Sequence, residues 1–165
     1  MLIEIGYDRQ KAVEYAKRWA LDRNPAYYDF SDLGGDCTNF ISQCVYAGSG
    51  VMNFTPTFGW YYNSLNDRSP SWTGVQFFYN FMMSNDGVGP YGVSTDSYNL
   101  DYGDIIQLGN SNGTYYHTLL VCGYTPQQGI LICAHTNDSY MRPLNTYYYA
   151  TARYIHIAGV RKWQG

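Results

Sequence analysis

Residues 34–44 read GGDCTNFISQC. Two glycines lead into an acid and a cysteine. Phe40, Ile41, Cys44 and Val45 then recur at the spacing of one helical face, with Asn39, Ser42 and Gln43 on the other. The pattern predicts a helix over DCTNFISQCVYAG, with Asp36 at its N-cap and Gly48 closing it. Gly34 and Gly35 permit a sharp turn and a close approach just before it. Cys37 therefore falls at a helix start. There, unpaired backbone N–H groups and the helix dipole favour a thiolate and lower its pKa. The same N–H groups can form part of an oxyanion hole. Cys44 lies two turns into the apolar face and reads as core.

On the N-terminal side, YDRQKAVEYAKRWALDRN predicts another helix, with Ala12, Ala16 and Ala20 on one face, Asp8 as N-cap and Pro25 beyond its end. On the C-terminal side periodicity lapses from about residue 49 to 100. This region reads as long aromatic loops interrupted by one helical patch, GVQFFYNFMM. After residue 100 the runs GDIIQL, YYHTLLVCGY, GILICAH and YIHIAGVRKW are of strand length, with TPQQG as a turn. Helices first and an antiparallel sheet afterwards make an α+β chain, and 165 residues fit a single domain, 1–165.

Composition narrows the function. A net charge of −3 leaves no basic footprint for nucleic acid and none for anionic membranes. No apolar run reaches membrane-spanning length, and the first residues lack the apolar stretch of a signal peptide. The four cysteines do not form a disulfide scaffold. Cys37 and Cys44 lie roughly 10 Å apart along one helix, too far to bond. Cys122 and Cys133 sit in apolar runs as buried thiols, and without a CxxC pair no metal site is expected.

A nucleophilic thiolate calls for an imidazole, and His117, His135 and His156 are the choices. His117 starts one predicted strand. His135 ends the next and is followed by Thr136, Asn137 and Asp138. If the strands around TPQQG pair in an even register, His117 lies opposite His135 or Asn137, and both project from one face. An odd register would separate them. Each feature has a plainer reading, a packing cysteine or a structural histidine; only their conjunction points to a Cys–His enzyme.

At these residues the chain resembles the bacterial "Putative amidase domain" family, through YDRQKAVEYAKRWA, RNPAYYDF, GGDCTNFISQC, GWYY, SWTGV, GDIIQ, YHTLLV and AHTND in that order. More distantly, GGDCTNFISQ, GDIIQ and the histidine strand resemble NlpC-type cell-wall peptidases and CHAP-type amidases, which are papain-like. The resemblance implies a papain-like fold, with N-terminal helices and the nucleophile helix packed on a C-terminal antiparallel sheet. It implies Cys37 as nucleophile and His117 as base. It leaves the third role between His135, the favoured residue, and Asn137. Tyr28, or its neighbour Tyr27, matches an aromatic hydroxyl that assists the oxyanion site. Trp60 in GWYY and Trp72 in SWTG become candidate substrate-cleft walls, against the plain alternative of aromatic core. No metal or organic cofactor is implied. The implied substrate is an amide of peptidoglycan stem peptides or muropeptides, in an extracytoplasmic or wall-associated setting. Two other classes share the residues: a non-catalytic glycan- or peptide-binding module, and an acyltransferase using the same Cys–His site.

Overall fold

Asp8 opens the first helix as its position predicts. In the computed structural model, which describes residues 1–165, its carboxylate accepts the Lys11 N–H at 3.0 Å, and α1 runs Arg9–Trp19. Ala12 and Ala16 on it, and Ala20 just beyond, are fully buried. Small side chains at this spacing let a second helix come close. That helix is α2, Cys37–Ser49. Contact is tightest at Gly48, where a Cβ would lie 2.6 Å from Tyr7 Cε1 and 2.7 Å from the Asp8 carbonyl oxygen. Gly48 is thus a contact residue rather than the terminator expected of it. Gly50 ends the helix instead, at φ 69°, with its N–H on the Tyr46 carbonyl at 2.7 Å.

The stripe of Asn39, Ser42 and Gln43 does not face water: all three are buried. Its partners come from the segment expected to be loop. Trp60 Nε1 donates to Ser42 Oγ at 3.1 Å, and Ser42 Oγ donates to the Trp72 carbonyl at 2.9 Å. Trp72 Nε1 donates to Asn39 Oδ1 at 3.0 Å. The two indoles lie 4.7 Å apart by centroid, and neither is exposed. The segment is ordered by burying these rings, each taking about 150–250 Å² from water. It holds a small hairpin of β2 (Tyr62–Ser64) and β3 (Asp67–Arg68), α3 (Pro70–Thr73), α4 (Val75–Ser84) and β4 (Gly89–Thr95).

The main sheet adds β1 (Leu2–Ile5), β5 (Ile105–Gly109), β6 (Tyr115–Thr125), β7 (Gly129–Ala134), β8 (Ser139–Pro143) and β9 (Thr151–Trp163). Every ladder is antiparallel, in the order β1-β9-β5-β6-β7-β8, with β4 on the other edge of β9. Ile105, Leu120, Cys133 and Ile155 face α2 and join Phe40, Ile41, Cys44 and Val45 in the larger core. Ile106, Leu108, Leu119, Val121 and Ile132 face the other way. They pack under Leu144, which begins a short 3₁₀ turn, Leu144–Thr146. The α+β class and the antiparallel sheet expected from the sequence are both present.

Candidate active site

Helix α2 brings its first residue to the place where β6 and β7 part. Their ladder ends at Leu120–Cys133, and β7 stops at Ala134. Beyond this point Thr118 is turned toward the helix. Its hydroxyl lies 2.9 Å from Thr38 Oγ1 and accepts Gln107 Nε2–H at 3.2 Å, fastening the helix start to the sheet. Cys37 is 8% exposed here. His117 precedes Thr118 and so projects from the opposite face, beside its pairing partner Leu108. Cys37 and His117 line one cleft of about 280 Å³. Gly34, Gly35, Thr136 and Asn137 form one wall, and Tyr116, Tyr147 and Tyr148 another. Four residues of that first wall are left-handed: Gly34 and Gly35 at φ 85° and 103°, Thr136 and Asn137 at 65° and 59°. For the β-branched Thr136 this is a strained conformation.

Burial sets the electrostatics. It pushes the Cys37 thiol up from its ordinary value, and the Thr118 and Thr38 N–H groups with the Thr38 hydroxyl only partly offset it. The depressed thiol expected of a helix start is therefore not found, because the sheet covers that helix start and excludes water. Burial, with the Arg142 cation adding to it, pulls His117 down to about 4. At neutral pH the resting pair is a thiol and a neutral imidazole. One result follows for labelling. Iodoacetamide should modify Cys37 faster as pH rises through the alkaline range, without a plateau at neutral pH. Cys44, Cys122 and Cys133, at most 4% exposed, should react only after unfolding. Mass mapping checks this, and equal labelling of all four thiols would contradict it.

Asp36 does not cap α2. Its Oδ1 accepts the Phe30 N–H and Asn39 Nδ2–H, both at 2.8 Å, and its Oδ2 lies 2.5 Å from His135 Nδ1. His135 Nε2 faces the Trp19 carbonyl at 2.8 Å, and its ring stacks on Phe40 at 3.8 Å. Arg23 Nη1 also lies 3.1 Å from His135 Nε2, so both ring nitrogens are engaged inside this network. Arg23 closes the network, reaching the two Asp138 carboxylate oxygens at 2.9 and 3.0 Å. His135 thus has no nitrogen for His117. The cause is a β-bulge. Near the turn, Tyr124 pairs with Ile130 and Gly123 with Leu131, the even register; past Cys122 the pairs become Val121–Ile132 and Leu120–Cys133. One extra residue reverses the parity of everything beyond it. His135 goes to the α2 face with Cys133, and His117 to the opposite one.

The other expected residues divide. Asn137 is exposed and lines the cleft, but its side chain makes no hydrogen bond to His117. Trp60 and Trp72 are core and not cleft walls, because α2 needs their indole N–H groups and the core needs their area. Tyr28 holds the α2 start through its carbonyl, which accepts Asn39 Nδ2–H at 3.0 Å, while its half-exposed ring leans on Phe30 away from the cleft. His156 serves a separate cluster, with Nδ1 2.8 Å from Asp104 Oδ2. The sequence reading overlooked Tyr147, Tyr148 and Arg142. The run TYYYA, 146–150, was their visible signal, since consecutive tyrosines without strand alternation suit a cleft rim.

A buried helix-start cysteine and a strand histidine thus open on one cleft in an α+β fold. Residues 6–158 match the family described as "Putative amidase domain", and the chain belongs to that family. It is similar to Uncharacterized protein YhbB of Bacillus subtilis (strain 168), 39% identical over 140 residues, which is 82% of this chain and 43% of the relative. It is also similar to Uncharacterized protein YjcM of the same organism, 29% identical over 124 residues, 70% of this chain and 28% of the relative. The chain therefore spans less than half the length of either relative. No solved structure matches it.

Proposed function

We propose that the protein is a thiol-dependent amide hydrolase of papain-like design, related to the NlpC and CHAP types. The observation that carries this reading is that Cys37 and His117 line the same cleft. Of the four thiols, Cys37 shares a cleft with a histidine; Cys122 borders a larger one of about 560 Å³ lined by no histidine. Because thiol and imidazole rest uncharged, His117 acts first as a base. Cys37 Sγ adds to the amide carbonyl carbon as its proton passes to a His117 ring nitrogen. His117 returns that proton to the leaving amine as the C–N bond breaks, leaving a thioester on Cys37. Water attacks the thioester, His117 takes its proton, and thiol and carboxylic acid are released. In this reading the first-turn N–H groups of α2, which Asp36 leaves without a side-chain cap, serve as the oxyanion donors. Asn137 is placed to steady the substrate from the loop side.

The proposed substrates are amides of peptidoglycan stem peptides, in an extracytoplasmic or wall-associated setting, by analogy with those families. Incubation with purified muropeptides followed by mass spectrometry tests the activity. Hydrolysis yields two fragments that together gain one water. Transfer to an added amine gives a different product mass, and folded protein that turns over none of them overturns the reading. The pH profile is a second check. Catalysis needs neutral His117, so kcat/KM should fall as pH drops through about 4, where His117 gains its proton. An acid limb near 6.5, the ordinary imidazole value, would show that burial and Arg142 do not depress the base, and its persistence in His117→Ala would exclude His117.

A further inference from the structure

Behind the cleft wall stands a cation that the mechanism above does not use. Arg142 belongs to β8 and pairs with Ile132, so it shares the sheet face of His117. Its guanidinium carbon lies 3.6 Å over the Tyr147 ring, and Tyr147 lies 5.8 Å from the His117 ring by centroid. The three side chains thus stand in a row, the Tyr147 and His117 rings tilted at 56° to each other. Two of its nitrogens fix the guanidinium in place: Nε donates to Thr146 Oγ1 at 2.7 Å and Nη2 to the Thr146 carbonyl at 3.0 Å. Nη1 has no protein partner. No carboxylate opposes this charge. The titratable groups lining the cleft are Cys37, His117, Tyr116, Tyr147 and Tyr148, none of them acidic at neutral pH. The nearest loop carboxylate, Asp138, is held at both oxygens by Arg23. The chain as a whole is net negative, so this positive charge behind the Tyr147 wall is a local feature.

We propose that Arg142 is a specificity-determining residue, selecting amides that carry a free carboxylate within about one residue of the scissile bond. The proposal rests on the reading of Cys37 and His117 as the reacting pair. Thr146 and the Tyr147 ring hold the guanidinium in place, and with no carboxylate to neutralise it its charge acts on the cleft from behind Tyr147. The strength follows from distance. At several ångströms through a partly buried path, one unopposed charge changes the local concentration of an anion by roughly three- to tenfold.

The test needs no natural substrate. Iodoacetate places a carboxylate one carbon from the sulfur that it alkylates, and iodoacetamide is its neutral counterpart. Rates of Cys37 labelling by each reagent are measured on the intact chain by peptide mapping, and their ratio is referred to that of free glutathione. The referred ratio should exceed one for the natural protein and fall roughly three- to tenfold in Arg142→Gln. Arg142→Lys, which keeps the charge through which the residue acts, should hold it within about twofold of the natural value. The His117 ring, followed by NMR, should titrate above about 4 in Arg142→Gln but stay near the natural value in Arg142→Lys, which keeps the charge. If Arg142→Gln is unfolded, the lysine variant and the wild-type ratio in rising salt, which should decline toward one, decide the matter. An unchanged ratio in folded Arg142→Gln, or a wild-type ratio indifferent to salt, overturns the selectivity while leaving the thiol reading standing. Failure of both reagents to label Cys37 in native protein overturns the thiol reading and this proposal together.

Discussion

Replacing Cys37 by alanine should lower amide hydrolysis by roughly 10,000-fold or more, the scale seen when a nucleophile is removed from a working set. Stability should barely move. The thiol is small, at the edge of the core cavity, and its one side-chain contact is the weak 3.7 Å approach to Thr38 Oγ1. The helix start is held instead by Thr38, Asn39 and Asp36. His117→Ala should cost less, roughly 100- to 10,000-fold, as is usual for a single acid–base group. Asn137→Ala should be milder still, since no hydrogen bond ties it to the imidazole. Steady-state rates on a muropeptide, with circular dichroism to confirm folding, order the three. Residual turnover in Cys37→Ala within tenfold of the natural chain would show that the chemistry lies elsewhere.

The second large effect concerns stability. Asp36→Ala or His135→Ala should each destabilise the fold by about 3–5 kcal/mol, because each strands buried hydrogen-bonding partners and leaves a gap in a packed network. Both residues are 1% exposed. Removing Asp36 also strands the Phe30 N–H and the Asn39 amide; removing His135 opens a gap against Phe40. For a chain of this size the melting temperature falls by roughly 2–4 °C per kcal/mol, so a drop of about 6–20 °C is expected in thermal denaturation. The double variant should lose less than the sum, since the two losses are one interaction counted from both ends. The outcome also separates roles. A stable His135→Ala protein with little activity would make His135 a member of the reacting set, against the geometry of its ring.

Local rules account for what was readable. The alanines of α1, the apolar stripe of α2 and the Ile- and Leu-rich strands β5, β6, β7 and β9 carry their period in their own residues. Cys37 and His117 could be picked because their surroundings in the chain, a helix start and a strand start, already suggested chemistry. β1, β4 and β8 could not be read. LIEI is four residues long, GPYGVST contains two glycines and a proline, and SYMRP ends in proline. These become strands because β9 or β7 supplies a partner far along the chain. The burial of Asn39, Ser42 and Gln43 escaped notice for a like reason: polar residues read as exposed until the groups that satisfy them are known. Those groups belong to Trp60, Trp72 and Tyr15. The bulge at Cys122 leaves no compositional mark at all. It moves His135 across the sheet without altering a single residue, so the orienting histidine expected from the strand pattern became the anchor of Asp36.

The pairing of β1 with β9 governs how the molecule is made. Leu2 lies opposite Trp163 and Ile5 opposite Val160, and the Gln164 N–H reaches the Met1 carbonyl at 3.0 Å. During synthesis the first strand leaves the ribosome while its partner is still unwritten, and it stays an open edge until residues 160–163 emerge. β4 waits on the same segment. α1 and α2, which touch through Gly48, can meet much earlier, but the sheet beneath them closes last. Contacts so distant in sequence must overcome loop-closure entropy before they contribute anything, which sets the assembly of such topologies on a millisecond-to-second scale. Until residues 160–163 emerge, the nascent chain is thus a helical pair carrying unpaired strands.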